Sequence, residues 1–235
     1  MAAIEAIELA KRYGDVEAVR GISFTVRPGE SYGLLGPNGA GKTTTMRMLA
    51  GLSPISSGTL RVLGLDVARH GRAIREKLGV VTQADGLDDG LDVRGNLVVF
   101  AELMGLSRRA ARRRADEVLE FFGLAGKARE DVEALSGGMK RRLAIARALL
   151  AEPEVIVLDE PSTGLDPESR MQVWEELALL KRRGVTLLLS THYMDEAEML
   201  CDRIAMMHGG RLLDEGSPAE LVARHAGPPA VDVRP

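Results

Sequence analysis

The run "GPNGAGKT", Gly36 to Thr43, restricts this 235-residue chain more than any other segment. It satisfies G-x-x-x-x-G-K-[ST] in full and lies between a short apolar run, "SYGLLG" at 31–36, and a helical pattern at 42–50. A strand, a glycine-rich turn and a helix in that order make a phosphate cradle. The glycines allow a tight loop whose backbone amides converge on phosphate oxygens, and the helix start adds partial positive charge. Gly36, Pro37, Asn38, Gly39, Ala40, Gly41, Lys42, Thr43 and Thr44 are the candidate nucleotide-binding residues. Lys42 is expected to reach the β- and γ-phosphates, and the Thr43 hydroxyl to coordinate Mg²⁺.

A matching acidic strand is present in "EVIVLDEP". Four apolar residues end in Asp159 and Glu160, at the strand end where open α/β sheets place their ligands. Asp159 suits Mg²⁺ through water or an outer contact. Glu160 is expected to point elsewhere, because side chains alternate along a strand, and to polarise an attacking water as a general base.

The rest of the chain supplies the framework. The compact apolar runs at 31–36, 78–83, 155–160, 185–191 and 203–210 suit strands buried on both faces of a parallel sheet. Helical patterns at 42–50, 167–183 and 194–201 supply the crossovers. "IEAIEL" and "GISFTV" near the N-terminus read as an antiparallel edge sheet. Residues 91–150 contain no convincing strand and read as an inserted helical subdomain, with helices near 93–104, 108–122 and 137–151. One α/β domain over 1–222 is expected, followed by a short frayed tail at 223–235. A net charge of −3 disfavours a nucleic-acid partner. No apolar run approaches the roughly 18 residues of a membrane span. "MAAIEAIELAKRYG" lacks a signal-peptide pattern. The single Cys201, like Met194, Met199, Met206 and Met207, reads as core filler, and the arginine run at 108–114 as a solvated helix face.

A second cradle is incomplete. In "LSGGMKRRLAIARAL", Ser136 is placed as a helix N-cap with Gly137 and Gly138 at the helix start, yet no phosphate-gripping lysine accompanies them. This stretch resembles the signature sequence of ATP-binding cassette (ABC) transporter ATPases, and other family elements follow in order. Tyr13 in "KRYGDVEAV" resembles the aromatic residue that stacks on adenine. Gln83 in "VVTQ" resembles the glutamine that joins Mg²⁺ to the helical subdomain. "STGLDP", which contains Asp166, resembles the loop that communicates between subunits, and His192 in "LSTHYMDEAE" resembles the switch histidine at the γ-phosphate. The resemblance spans about residues 4 to 222 and implies a P-loop NTPase core with a mostly parallel sheet, an N-terminal antiparallel β-subdomain and a helical insertion. It further implies ATP and Mg²⁺ as cofactors, with Thr43, Gln83 and Asp159 at the metal and Glu160, His192 and Lys42 in catalysis.

In that family two cassettes pack head to tail, and each signature closes over the partner's nucleotide. The resemblance therefore implies a dimer with a second copy, or a similar cassette, bound to integral membrane permease subunits on the cytoplasmic face. "LSGGMKRRLAIARAL" and the segment from "GVVTQ" to "FAELMGL" look like drug, polysaccharide or nodulation-factor exporter cassettes. Gly95 departs from that pattern where relatives often carry glutamate, and such relatives often continue beyond "VDVRP". An importer cassette shares the same core motifs. A non-transport ABC ATPase fits less well, because ribosome-acting members carry two cassettes and repair members insert long coiled coils.

Overall fold

The computed structural model describes residues 1–225. In chain order, β1 (Ile4–Tyr13) and β2 (Val16–Val26) form a hairpin, and β3 (Ser31–Leu35) leads through the glycine loop into α1 (Lys42–Leu49). Next come β4 (Ser57–Val62), β5 (Leu65–Asp66), α2 (Gly71–Arg75) and β6 (Leu78–Val81). A helical block follows, made of α3 (Val93–Leu103), α4 (Arg108–Phe121) and α5 (Gly137–Ala148), with two 3₁₀ turns between α4 and α5. The chain then returns through β7 (Val155–Asp159), α6 (Pro167–Arg182), β8 (Thr186–Thr191), α7 (Met194–Leu200), β9 (Arg203–His208), β10 (Arg211–Gly216) and α8 (Pro218–His225).

Two sheets result. The larger runs β10-β9-β3-β8-β7-β6, parallel except for β10, which pairs antiparallel with β9. The smaller, β2-β1-β4-β5, is antiparallel. Strand pleating divides the core between them. Ile156, Leu158, Leu187 and Leu189 face the cluster shared with α3–α6, whereas Val155, Val157 and Leu188 face the cluster shared with α1 and the antiparallel sheet. Continuous apolar strands such as "VIVLD" follow from burial on both faces, and each such side chain contributes about 1.5–3 kcal/mol by leaving water.

The five parallel strands and the three helices of the insertion form where the sequence places them. Several expectations need correction. The N-terminal strands are longer than "IEAIEL" and "GISFTV", because a two-residue turn at Gly14 and Asp15 lets pairing run to the tip. They form the antiparallel sheet expected at the N-terminus, which β4 extends by pairing with β1. β4, β5, α2 and β10 have no counterpart in the sequence reading. β4 alternates buried and exposed positions only over Leu60 to Val62, and β10 has no buried position, so neither carries a pattern that stands alone. Residues 223–225 complete α8, while the remainder of the expected tail lies outside the described residues. Cys201, Met194, Met206 and Met207 pack in or against the core as expected, but Met199 is 55% exposed on the outer face of α7. Arg108, Arg109, Arg112 and Arg113 are solvated.

Candidate nucleotide site

The loop between β3 and α1 forms the floor of a cleft of about 610 Å³. Asn38 to Thr44 line it, with Tyr13, Val16 and Ala18 from the antiparallel sheet, Gln83 and Glu160 on the other side, and Gly209 and Gly210 from the β9–β10 turn. α3, α4, α5 and α6 each begin with a side chain that accepts a hydrogen bond from the first turn. α1 does not: its N-cap is Gly41, with no side-chain acceptor, so its leading amides keep their donor capacity for a ligand. Gly41 has φ 104°, and a Cβ there would lie 2.5 Å from the Ala18 carbonyl oxygen. Only glycine fits that point of the cradle.

Around the cradle the charged residues converge. The Lys42 ammonium is buried, donating to the carbonyls of Gly36 at 2.7 Å and Pro37 at 3.1 Å, with Glu160 Oε1 3.6 Å away. Glu160 Oε1 also lies 3.3 Å from His192 Nδ1, and the Thr163 hydroxyl donates to Oε2 at 3.2 Å. The His192 contact is proximity without hydrogen-bond alignment, which leaves Nδ1 unpartnered among the described residues. The Thr43 hydroxyl donates to Asp159 Oδ1 at 3.1 Å, and the Ser190 hydroxyl donates to the same oxygen at 2.5 Å. Glu160 turns away from Asp159 for a reason other than strand alternation. β7 ends at Asp159, and Glu160 takes a left-handed backbone conformation, φ 49°, with its amide donating to the Ser190 carbonyl and hydroxyl. Glu8, Leu63 and Glu152 share this conformation away from the cleft, so at Glu160 it fixes the pose of the carboxylate and does not by itself mark a site.

Arg141, inside α5, ties this region together. Its Nη2 donates to the carbonyls of Asp159 and Glu160, its Nε to Pro161, and its Nη1 to Thr82, the residue before Gln83. Burial lowers the guanidinium's pKa, Asp85 opposes that shift, and an arginine stays protonated throughout. Arg147 adds donors to the carbonyls of Asp85 and Gly86. Neither arginine was singled out from the sequence, where both sit in a basic run without visible partners. Val16, Ala18, Gly209, Gly210, Thr163 and Ser190 were missed as well. The paired glycines of "MHGG" hinted at a turn, but nothing local marks it as a cleft wall.

The expected residues fall into two groups. Tyr13 stands at the cleft rim, 47% exposed, with its hydroxyl 3.1 Å from Ser53 Oγ and the Lys11 ammonium over its ring. Gln83 lines the opposite wall, exposed. Ser136, Gly137, Gly138 and Asp166 line no part of this cleft. Ser136 caps α5 by accepting from the Met139 amide at 3.3 Å, and Ser136 and Gly137 are exposed. Gly138 is buried, and a Cβ there would lie 2.3 Å from Ser169 Oγ, so this glycine permits α5 to pack on α6. Asp166 caps α6, and the Ser169 amide and hydroxyl hold its carboxyl below the ordinary range.

The ABC transporter family model matches residues 19–163. "Nod factor export ATP-binding protein I" of Paraburkholderia xenovorans (strain LB400) is 48% identical over 232 residues, covering 99% of this chain and 76% of that protein. The structure of cbiO1 from Clostridium perfringens, part of the ABC transporter complex cbiONQ, superposes with a TM-score of 0.86 at 31% identity, covering 94% of this chain and 91% of that one. The dimeric post-hydrolysis structure of the ATP-binding cassette MJ0796, bound to ADP and Pi, superposes with a TM-score of 0.82 at 25% identity, covering 92% of this chain and 98% of that one. The chain belongs to the ABC transporter family, as an ATP-binding subunit that couples ATP hydrolysis to transport.

Proposed function

We propose that this subunit powers an exporter, and that Lys42, Thr43, Asp159, Glu160 and His192 carry out hydrolysis in the cleft. The observation that supports the chemistry is the convergence of Lys42 and His192 on the one carboxylate of Glu160. The names of the most similar relatives support export. Lys42 exchanges the Gly36 and Pro37 carbonyls for the β- and γ-phosphate oxygens, and the uncapped amides of α1 take the rest. Glu160, relieved of the ammonium, accepts a proton from the attacking water, and His192 stands beside it at the γ-phosphate. Tyr13 offers its ring to adenine at the rim.

Mg²⁺ suits the donors present. A hydroxyl and a carboxylate meet at Thr43 and Asp159, hard oxygen ligands of the sort this ion prefers. The described residues hold no cluster of three or more His, Cys, Asp or Glu able to bind a metal. When bound, Mg²⁺ supplies charge neutralisation across the β- and γ-phosphates, with Thr43, Asp159 and Gln83 as the residues that would hold it.

Ser136 and Gly137, exposed outside the cleft, complete the site of a second cassette in a head-to-tail dimer, and Asp166 lies in the loop between the two. No helix among the described residues is long and apolar enough to cross a membrane. Permease subunits that hold the cassette at the cytoplasmic face carry the cargo, a reading supported by the transporter complexes to which the relatives belong. Export is tested by co-expressing the chain with its membrane subunit and following ATP-driven cargo accumulation in inverted vesicles. Accumulation that instead requires an external binding protein and right-side-out vesicles would overturn export and favour import.

A further inference from the structure

Glu196 is fully buried in the first turn of α7, which starts two residues after His192. Its Oε1 accepts from the Ser162 hydroxyl at 2.5 Å and from the indole N–H of Trp174 at 3.0 Å. Its Oε2 has no partner among the described residues. A fully buried carboxylate is costly, and an apolar side chain of similar volume would hold α7 against the core at lower cost. Three elements nonetheless meet on this one oxygen: the loop leaving β7, through Ser162; α6, through Trp174; and α7 itself. A second contact runs parallel to it, with the Arg170 guanidinium over the Tyr193 ring and 3.8 Å from Asp195.

The loop links this clasp to the reacting carboxylate. Ser162 turns inward to Glu196, while its neighbour Thr163 donates to Glu160 Oε2, which leaves Oε1 facing Lys42 and His192. Releasing Ser162 frees Thr163 and so the rotamer of Glu160. From the other side, Arg141 binds the carbonyls of Asp159, Glu160 and Pro161.

We propose that Glu196 is a positioning residue, which clasps the Glu160–Thr163 loop to α7, the helix that follows His192, so that base and histidine keep one geometry. Because the same loop continues to Asp166, a displacement of its outer end is carried to His192 through Ser162 and Glu196. This rests on the hydrolytic roles proposed above for Glu160 and His192.

Three variants test it: Ser162→Ala, Glu196→Leu and Glu196→Gln, each followed by fluorescent-nucleotide titration, steady-state ATPase kinetics and Trp174 emission during unfolding. Leucine restores the volume without the acceptor, and glutamine keeps one acceptor oxygen. Ser162→Ala and Glu196→Leu are expected to bind nucleotide within about twofold of wild type while kcat falls about 10- to 100-fold, the loss a small misplacement produces. Glu196→Gln is expected to keep kcat within about threefold, because its oxygen still accepts from Ser162. Wild-type kcat in Ser162→Ala and in folded Glu196→Leu, or equal losses of binding and turnover, would overturn the proposal. If Glu196→Leu does not fold, Ser162→Ala decides alone. Glu160→Gln is run in parallel: full turnover there overturns the base assignment itself, an outcome separate from failure of the clasp.

Discussion

At the scale of single residues, the cradle was legible because its chemistry is local. Gly36 to Thr44 are contiguous, and a loop between a strand and a helix leaves few other conformations. Glu160 was legible as a residue but not in its pose, since its left-handed backbone is held by Ser190, thirty positions away in sequence. Lys42→Ala should lower nucleotide affinity by more than about tenfold, because the main point charge on the β- and γ-phosphates is removed. Titration with a fluorescent ATP analogue measures this, and unchanged affinity would remove the loop from the site. Glu160→Gln should bind as wild type does while kcat falls about 100-fold or more. A parallel loss of binding would mean that the carboxylate serves to hold Lys42 rather than to take a proton.

Among the elements, those with strong periodic or apolar patterns emerged from sequence alone, and those defined by a partner did not. α3, α4 and α5 each carry an apolar face and an N-cap, whereas β4 gains its identity by pairing with β1. The α5–α6 contact carries a titratable pair that no sequence pattern showed. Glu176 on α6 is nearly buried, 3.7 Å from Arg142 on α5, and burial raises its carboxyl from 4.5 to about 8 despite the guanidinium. A carboxyl whose folded-state pKa lies above its unfolded value binds protons more tightly in the fold. Its contribution to stability is present below pH 4.5 and is lost as pH rises towards about 8. Glu176→Gln should therefore flatten the fall in unfolding free energy across that interval, as read by urea denaturation at several pH values. An unchanged slope would assign the pH dependence to other groups.

For the whole molecule, the expectation at stake is that the signature at Ser136 serves another subunit. Each chain presents the α1 cradle inside its cleft and the α5 start outside it. A chain with Lys42→Ala mixed with a chain with Ser136→Arg should recover ATP turnover, because one trans site keeps both intact parts. A doubly substituted chain mixed with wild type should recover little, since trans sharing then damages both sites. Purified, differently tagged dimers separate the cases, and activity in the second mixture alone would show that the signature acts within its own chain.

What the sequence determined by itself is the set of chemical parts: the phosphate cradle, the acidic strand end, the capped signature helix and the buried strands between them. Each depends on neighbours within a few residues, through backbone conformation, alternation or capping, so local order is enough to specify it. Only the tertiary structure decided which parts meet. Strand order set Thr43 against Asp159, and Arg141 drew the carbonyls after β7 towards the Gln83 loop. Burial brought Glu196 to Ser162 and the β9–β10 turn to the cleft wall. Those meetings join residues from about 20 to more than 160 positions apart in the chain, and packing of two cores on the faces of one sheet, rather than any local pattern, brings them together.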